Sequence, residues 1–217
     1  MRRPFAAEFF GTALLLLAVA GSGVMGESLA GGNVAVALLA NSLATGAALY
    51  VIISLLGPVS GAHLNPVVTL MAWADRAIEA RQACGYLVAQ FTGAVAGVWA
   101  VHAMFGQAIL QVSTKPRSSA GLWFSEILAT CLLLLLIRTG TSRQDPKLPA
   151  YVALTVTAGY WATASTFFAN PAATLARGLT DTFVGIKSAD SGEFVICQFL
   201  GLGVMLTLGR IIRSGDE

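Results

Sequence analysis

Charged side chains are scarce in this sequence, and so is cysteine. Only 11% of the 217 residues are charged, whereas charged residues make up about 25% of an ordinary soluble domain. The net charge of +2 is too small to indicate a nucleic-acid partner. The three cysteines lie far apart in apolar stretches and have no metal-ligand spacing, so we expect packing side chains and no disulfide. No nucleophile–base constellation or cofactor motif indicates an enzyme.

Apolar sequence is correspondingly abundant, with 56% hydrophobic residues and 23 glycines. Glycine in such numbers is typical of helices that pack closely in lipid. The first apolar segment could also be read as a signal peptide, but Glu8 within it argues against that reading. The sequence thus predicts an all-α membrane protein with six transmembrane helices. The predicted spans are roughly residues 5–25, 33–57, 83–105, 121–138, 148–168 and 194–212.

Two Asn-Pro pairs interrupt this apolar sequence at a spacing of 105 residues. Proline is favoured at the first position of a helix, where its missing N–H needs no partner. An asparagine just before it is a good N-cap, because its side-chain oxygen accepts a backbone N–H. Asn65-Pro66 and Asn170-Pro171 therefore each predict the start of a helix of about two turns, too short to span a bilayer. Two re-entrant half-helices of this kind indicate a pathway for a polar solute.

Polar residues recur in the same order in the two halves of the chain. Each half carries three predicted spans, an odd number, so the halves must insert with opposite topology. The sequence therefore predicts a single channel domain, 1–217, made of inverted repeats over about 4–106 and 120–213, with its site at their interface. The matching residues are Glu8 with Glu126, Asn65 with Asn170 and Gln90 with Gln198, at offsets of 118, 105 and 108.

Glu8 and Glu126 are the only acidic residues deep within a predicted span. A carboxylate behind a re-entrant segment can accept the backbone N–H groups that the segment leaves unpaired, so we expect structural support. A proton relay is the alternative, because a carboxylate within the membrane is by default a candidate for a functional role. Gln90 and Gln198 are expected to hold the same segments or to bridge helices.

Lysine and arginine are distributed unevenly across the predicted membrane. Nine of the 13 fall on the side that holds both termini and four on the other side. The positive-inside rule therefore predicts that both termini are cytoplasmic, in the inner (plasma) membrane. The two half-helices then enter from opposite sides and point their N-termini at each other near the midplane. The nine are Arg2, Arg3, Arg76, Arg81, Arg138, Arg143, Lys147, Arg210 and Arg213, and the four are Lys115, Arg117, Arg177 and Lys187.

Six short elements along the chain carry a family resemblance. They read AEFFGT (7–12), SGAHLNPVVT (60–69), AQFTG (89–93), SEILAT (125–130), FANPA (168–172) and CQFLG (197–201). Together they resemble the aquaporin, or major intrinsic protein, family over about residues 4–213. The resemblance implies six tilted helices, two re-entrant half-helices, and a homotetramer in the lipid bilayer with one pore in each subunit.

The resemblance also implies how the pore works. We expect each motif asparagine to cap its half-helix through oxygen and to turn its N–H₂ group toward passing solutes. The extended segments 60–64 and 165–169 are expected to present backbone carbonyls, and the two positive helix ends to disfavour cations. Val67 stands where the family usually has alanine, and His63 has a pH gate as its alternative role. The motif residues are Asn65, Pro66, Val67, Asn170, Pro171 and Ala172, and the predicted lining residues are His63, Leu64, Ser165, Thr166 and Phe168.

The selectivity filter departs from the family pattern. Three residues after the second asparagine, where the family usually has arginine, this chain has Ala173. Arg177 lies about one helical turn further on, and its i, i+4 spacing predicts pairing with Asp181 at the outer mouth. A filter of this composition is expected to be wide, mostly apolar and without a cation of its own. The other filter positions, by alignment from the asparagines, are Thr45, Ala158 and Phe167.

One segment resembles a bacterial subgroup of the family that is associated with arsenic resistance: it reads NPAATLARGLTDTFVGI (170–186). This resemblance implies a passive channel for arsenous acid and related metalloids, glycerol and water. An ordinary water channel or glycerol facilitator is the nearest alternative. An ion-coupled secondary transporter would need an ion site, which only Glu8 and Glu126 offer. A closed adhesion or scaffold protein would favour long specialised loops.

Overall fold

The computed structural model describes residues 2–214, and their side chains as far as Gly209. This part of the chain folds into eight helices and contains no strand. Arg210 and Arg213, which enter the count of basic residues above, have side chains outside the described part. The helices are α1 (Arg2–Leu29), α2 (Val34–Ser60), α3 (Pro66–Ala74), α4 (Ala80–Met104), α5 (Ala120–Ser142), α6 (Leu148–Ala162), α7 (Pro171–Arg177) and α8 (Ser188–Ser214).

Five of these helices, α1, α2, α4, α5 and α8, are long and apolar enough to cross a membrane. The helix α6 has only 15 residues, so it ends well before the predicted span 148–168 does. It stops early because Thr166 and Phe167 have positive φ and belong to an irregular segment that leads into α7. The helices α3 and α7, with nine and seven residues, are too short to span. The order of two longer helices, a half-helix and another long helix thus occurs twice, with α6 as the short member of the second set, and it confirms the predicted fold class.

Close contacts of α1 with α4 and α2 build the first half of the fold. An added Cβ at Gly93 of α4 would lie 2.3 Å from the carbonyl oxygen of Phe9. One at Gly97 would lie equally close, 2.3 Å, to the carbonyl oxygen of Ala13. Glycine therefore allows the two helix backbones to touch, as small residues do between helices in lipid. In the second half α5 packs on α8, and α2 packs on α6 across the two halves.

Each half-helix lies between elements of both halves. Val67 of α3 is fully buried in an apolar cluster with Leu134 of α5 and Met205 of α8. The helix α7 packs on α4 as well as on α8. Val67 therefore contributes packing between the halves, and the cross-packing brings the N-termini of α3 and α7 together.

Replacement of Gly93 by alanine is expected to destabilise the protein, because the new methyl group collides with the backbone of α1. Overpacking of this kind costs about 1–3 kcal/mol. The matched control is Gly203→Ala on α8, where nothing lies within 4 Å of an added Cβ. Thermal unfolding of the purified variants in detergent should show a lower midpoint for Gly93→Ala alone. Equal midpoints for the two variants would contradict the packing described for α1 and α4.

Candidate functional site

The N-termini of α3 and α7 are capped by the two motif asparagines. Asn65 Oδ1 accepts a hydrogen bond from the backbone N–H of Val67 at 3.1 Å. Asn170 Oδ1 accepts from the N–H groups of Ala172 and Ala173 at 3.1 and 3.2 Å. Proline follows each cap at the first helical position. The donors that a helix start leaves unpaired are therefore partly satisfied at both half-helices.

The two asparagines also bind the opposite half of the chain. Asn65 Nδ2 donates to the carbonyl oxygen of Ala169 at 2.7 Å. Asn170 Nδ2 donates to the carbonyl oxygen of Leu64 at 2.8 Å. One N–H of each amide is therefore used between the halves, which corrects the expectation that the whole N–H₂ group faces solutes. The second N–H of each asparagine remains for the pore.

The segments that lead into the half-helices contain left-handed backbone at non-glycine residues. In the first segment φ is 45° at Ala62 and 51° at Leu64. In the second, 105 residues later, φ is 55° at Phe167 and 44° at Ala169. Such conformations cost about 1–3 kcal/mol each and persist only where the surroundings impose them. The same irregular path recurs in both halves, and its N–H groups need acceptors that no helix or sheet supplies.

Glu8 supplies these acceptors in the first half, and its side chain is fully buried. Its Oε1 accepts from the Ser60 hydroxyl at 2.7 Å and from the His63 N–H at 2.9 Å. Its Oε2 accepts from the Leu64 N–H at 2.7 Å and from Gln90 Nε2 at 2.8 Å. The carboxylate therefore makes four hydrogen bonds, three of them to the segment that leads into α3.

Glu126 occupies the corresponding place in the second half and is also fully buried. Its Oε1 accepts from the Ala169 N–H and from Gln198 Nε2, the latter at 2.7 Å. Its Oε2 makes no close hydrogen bond among the described residues, although the Ser165 hydroxyl also interacts with this carboxyl. The second carboxylate is thus less completely bonded than the first.

Two threonines complete these networks, and neither was predicted. Gln90 Nε2 donates to Thr69 Oγ1 at 2.8 Å, and Gln198 Nε2 donates to Thr174 Oγ1 at 2.8 Å. Each threonine lies four residues after its asparagine, in NPVVT and NPAAT, and this repeated spacing could have revealed both. His63 Nδ1 lies 3.1 Å from Thr69 Oγ1. Since Thr69 already accepts from glutamine, its proton is available to Nδ1, which favours the Nε2–H tautomer of His63.

A cavity of about 640 Å³ is lined by residues of both halves. Ser165 and Thr166 do not line it, which corrects their prediction as lining residues. The Ser165 hydroxyl is buried and lies 3.3 Å from that of Ser125, and Thr166 closes a turn by donating to the carbonyl of Thr163. The predicted residues that do line the cavity are Thr45, His63, Leu64, Asn65, Phe167, Phe168, Asn170 and Ala173.

The filter position assigned to Ala158 is wrong. Ala158 is exposed on the outside of α6, and Tyr160, two residues later, lines the cavity. Two residues rotate a helix by about 200°, so the two side chains point in nearly opposite directions. The Tyr160 hydroxyl lies 3.2 Å from the hydroxyl of Thr45. The cavity wall at this level therefore contains the two aromatic rings of Tyr160 and Phe167 and the hydroxyl groups of Tyr160 and Thr45, so it is bulkier and more polar than the sequence predicts.

Arg177 lines the cavity and does not pair with Asp181. The helix α7 ends at Arg177, so the two residues do not share a helix and the i, i+4 rule does not apply. Asp181 instead accepts from the N–H and the hydroxyl of Thr114 at 2.9 and 3.0 Å. These bonds lower the pKa of the exposed Asp181 carboxyl. Ala173 thus leaves the filter position itself uncharged, while a guanidinium lies at the end of the same short helix.

An ion pair lines the cavity at the far end of α3. Arg138 of α5 donates through Nε to Asp75 Oδ2 at 2.9 Å and through Nη1 to the Met205 carbonyl at 2.7 Å. Asp75 directly follows α3, so Arg138 ties the C-terminus of this half-helix to α5 and α8. The partners lie 63 and 67 residues from Arg138 in the chain, so no local spacing signals the contact.

Comparison with known proteins points to one family. The profile described as "Major intrinsic protein" matches residues 1–181. "Aquaglyceroporin AqpS" of Rhizobium meliloti is 43% identical over 210 residues, which cover 97% of this chain and 90% of that protein. "Probable aquaporin AqpM" of Archaeoglobus fulgidus is 29% identical over 86% of this chain and 87% of its own length. The X-ray structure of the aquaglyceroporin from Plasmodium falciparum has the same fold, with a TM-score of 0.67 and 22% identity over 95% of this chain and 98% of that one.

Glu8→Gln and Glu126→Gln form a matched pair of substitutions that replace a buried carboxyl group by an amide. At Glu8 the new N–H₂ group meets donors already in place, so we expect a loss of about 2–4 kcal/mol. At Glu126 it can replace Oε2, which makes no close hydrogen bond, so we expect a smaller loss of about 1 kcal/mol. Unfolding midpoints in detergent measure the difference. Equal losses of stability in the two variants would contradict the difference in hydrogen bonding between the two carboxyl groups.

Proposed function

We propose that this chain, which belongs to the major intrinsic protein family of passive membrane channels and is not an enzyme, conducts small uncharged solutes through the cavity between its half-helices. One observation carries the proposal: two asparagine amides, each bound to the opposite half, meet in a cavity of about 640 Å³. The remaining N–H of each amide is a donor for the oxygen of a passing solute. The capped helix N-termini around them disfavour cations.

The surroundings of the two buried carboxylates favour a channel over an ion-coupled transporter. A coupled ion needs a site that it reaches from the pathway. Neither Glu8 nor Glu126 lines the cavity, and Glu8 already accepts four hydrogen bonds. Both carboxylates therefore support the backbone behind the pore, and no proton relay along the pathway is needed.

The proposed solutes are glycerol, water, and arsenous acid with related metalloid hydroxides. Each is uncharged at neutral pH and carries hydroxyl groups that can accept from the asparagine amides and donate to carbonyls. Apolar side chains such as Leu64, Phe167 and Ala173 line much of the cavity. They can contact the C–H groups of a polyol such as glycerol. The name of the relative AqpS supports glycerol, and the sequence of segment 170–186 supports arsenous acid.

We further propose a homotetramer in a bacterial plasma membrane with both termini in the cytoplasm. The excess of lysine and arginine on the side of the termini supports this orientation. Exposed apolar side chains such as Phe10, Leu55 and Leu154 provide surface for lipid and for neighbouring subunits. Chemical crosslinking in native membranes tests the tetramer.

Solute flux into proteoliposomes tests the function. Glycerol and arsenous acid should enter faster than into protein-free liposomes, with rates that rise linearly with solute concentration. Proton and sodium gradients should leave these rates unchanged, because no ion is coupled. Saturating flux that follows either gradient would falsify the channel and favour a transporter. If water alone enters faster than into protein-free liposomes, the protein is an ordinary water channel.

A matched pair of alanine substitutions tests the filter. Ala173→Leu adds bulk to the cavity lining, so we expect glycerol permeability to fall about tenfold, with a smaller effect on water. Ala158→Leu adds the same bulk on the exposed side of α6 and should leave both permeabilities unchanged. Stopped-flow light scattering of proteoliposomes measures both solutes. An effect of Ala158→Leu equal to that of Ala173→Leu would show that the filter is placed incorrectly.

A further inference from the structure

Arg177 is a buried cation that faces the cavity from the end of α7. Its side chain is only 4% exposed, and it lines the cavity together with Thr45 and Tyr160. These three residues define the outer end of the cavity. Because α3 and α7 meet at their N-termini, the pair Asp75–Arg138 at the C-terminus of α3 marks the opposite, inner end.

The Arg177 guanidinium makes no hydrogen bond or ion pair with an acidic side chain, although the buried Glu126 attracts it at longer range. Its Nε donates to the Val184 carbonyl at 2.6 Å, and its Cζ lies 3.4 Å from the centre of the Phe168 ring. Such stacking over an aromatic face is favourable for a guanidinium. The Phe168 ring is itself fixed against Phe194, with ring centres 5.1 Å apart. The Arg177 side chain makes no other hydrogen bond to a described residue, so its Nη–H groups remain for the cavity.

A second guanidinium lies behind the same ring. The Cζ of Arg117 is 5.3 Å from the centre of the Phe168 ring, and its Nε donates to the Gly185 carbonyl at 3.0 Å. Asp190 binds only the backbone N–H of Arg117. Burial lowers the pKa of the Arg117 side chain, yet arginine stays protonated in proteins. The outer end thus concentrates two positive charges around one phenylalanine.

The inner end of the cavity, in contrast, carries an ion pair with no net charge. Arg138 there is neutralised by Asp75, in the only salt bridge among the described residues. Charge selection by the lining side chains is therefore concentrated at the outer end. A cation entering past Arg177 meets a positive charge that has no ion-pair partner and that Glu126 offsets only at longer range. The surroundings screen this charge less than water does.

We propose that Arg177, reinforced by Arg117, is the side chain that excludes cations at the outer end of this pore, about one helical turn beyond Ala173, in addition to the half-helix ends at the centre. The inference rests on the proposed channel function and adds its charge selectivity. Ala173 leaves space beside the asparagines for a solute, and Arg177 maintains the electrostatic barrier further out. Its Nη–H groups also donate to the oxygens of neutral solutes, so the same side chain repels cations and admits hydroxyl compounds.

Urea and guanidinium are suitable probes, because they are planar, nearly equal in size and differ in charge. Uptake of each radiolabelled probe into proteoliposomes, at millimolar concentration, gives the permeability ratio of guanidinium to urea. Arg177→Met should raise this ratio about tenfold or more, because it removes the nearest positive charge. Glycerol flux should persist. Arg177→Gln retains a donor for Val184 and should give the same increase, so a folding defect in the methionine variant does not decide the test.

Lys115→Met is the matched control, since it removes a positive charge from an exposed position on the same side of the protein. Its probe ratio should equal that of the unmodified protein. An unchanged ratio in both Arg177 variants, with glycerol and urea flux intact, overturns the inference and leaves the proposed function standing. Absence of glycerol, urea and arsenous acid flux in the unmodified protein overturns both.

Discussion

The pore depends on buried carboxylates that hold backbone which no helix or sheet can satisfy. Glu8 and Glu126 receive N–H groups from segments in which non-glycine residues adopt left-handed conformations. Each unpaired N–H in hydrocarbon costs several kcal/mol, so without an acceptor these segments would not keep their path. The shape of the pore therefore depends on Glu8 and Glu126, two side chains that do not line it.

The features that repeat along the sequence could be predicted from it. Contacts between residues far apart in the sequence could not. The Asn-Pro pairs predicted where the half-helices begin, because capping depends on neighbouring residues in the sequence. The two glutamates within apolar spans predicted which side chains stabilise the segments before the half-helices. Ala158 was misplaced because sequence does not show which face of α6 points inward. The expected Arg177–Asp181 pair failed because α7 ends at Arg177. The Arg138–Asp75 contact joins distant segments, and no spacing rule anticipates it.

Near-symmetry of the chain coexists with asymmetric chemistry along the cavity. The two asparagines and two glutamine–threonine contacts match across the halves, so the middle of the pore presents similar donors from both sides. The ends differ, with an unpaired Arg177 stacked on Phe168 at one and a neutralised Arg138 at the other. With this combination, solutes can be selected by their charge at the end that holds Arg177 and by their hydrogen-bonding groups at the asparagines in the centre.

The reciprocal asparagine bonds have a consequence for how the chain is made. The Leu64 carbonyl and the Asn65 amide find their partners only at Asn170 and Ala169, about 105 residues later. A ribosome adding about 5–20 residues per second needs roughly 5–20 s to reach them. The bonds that Glu8 accepts can form within the amino-terminal half alone. The two reciprocal asparagine bonds, in contrast, form only when the second half is present, so the joining of the two re-entrant segments is a single, late event of biogenesis.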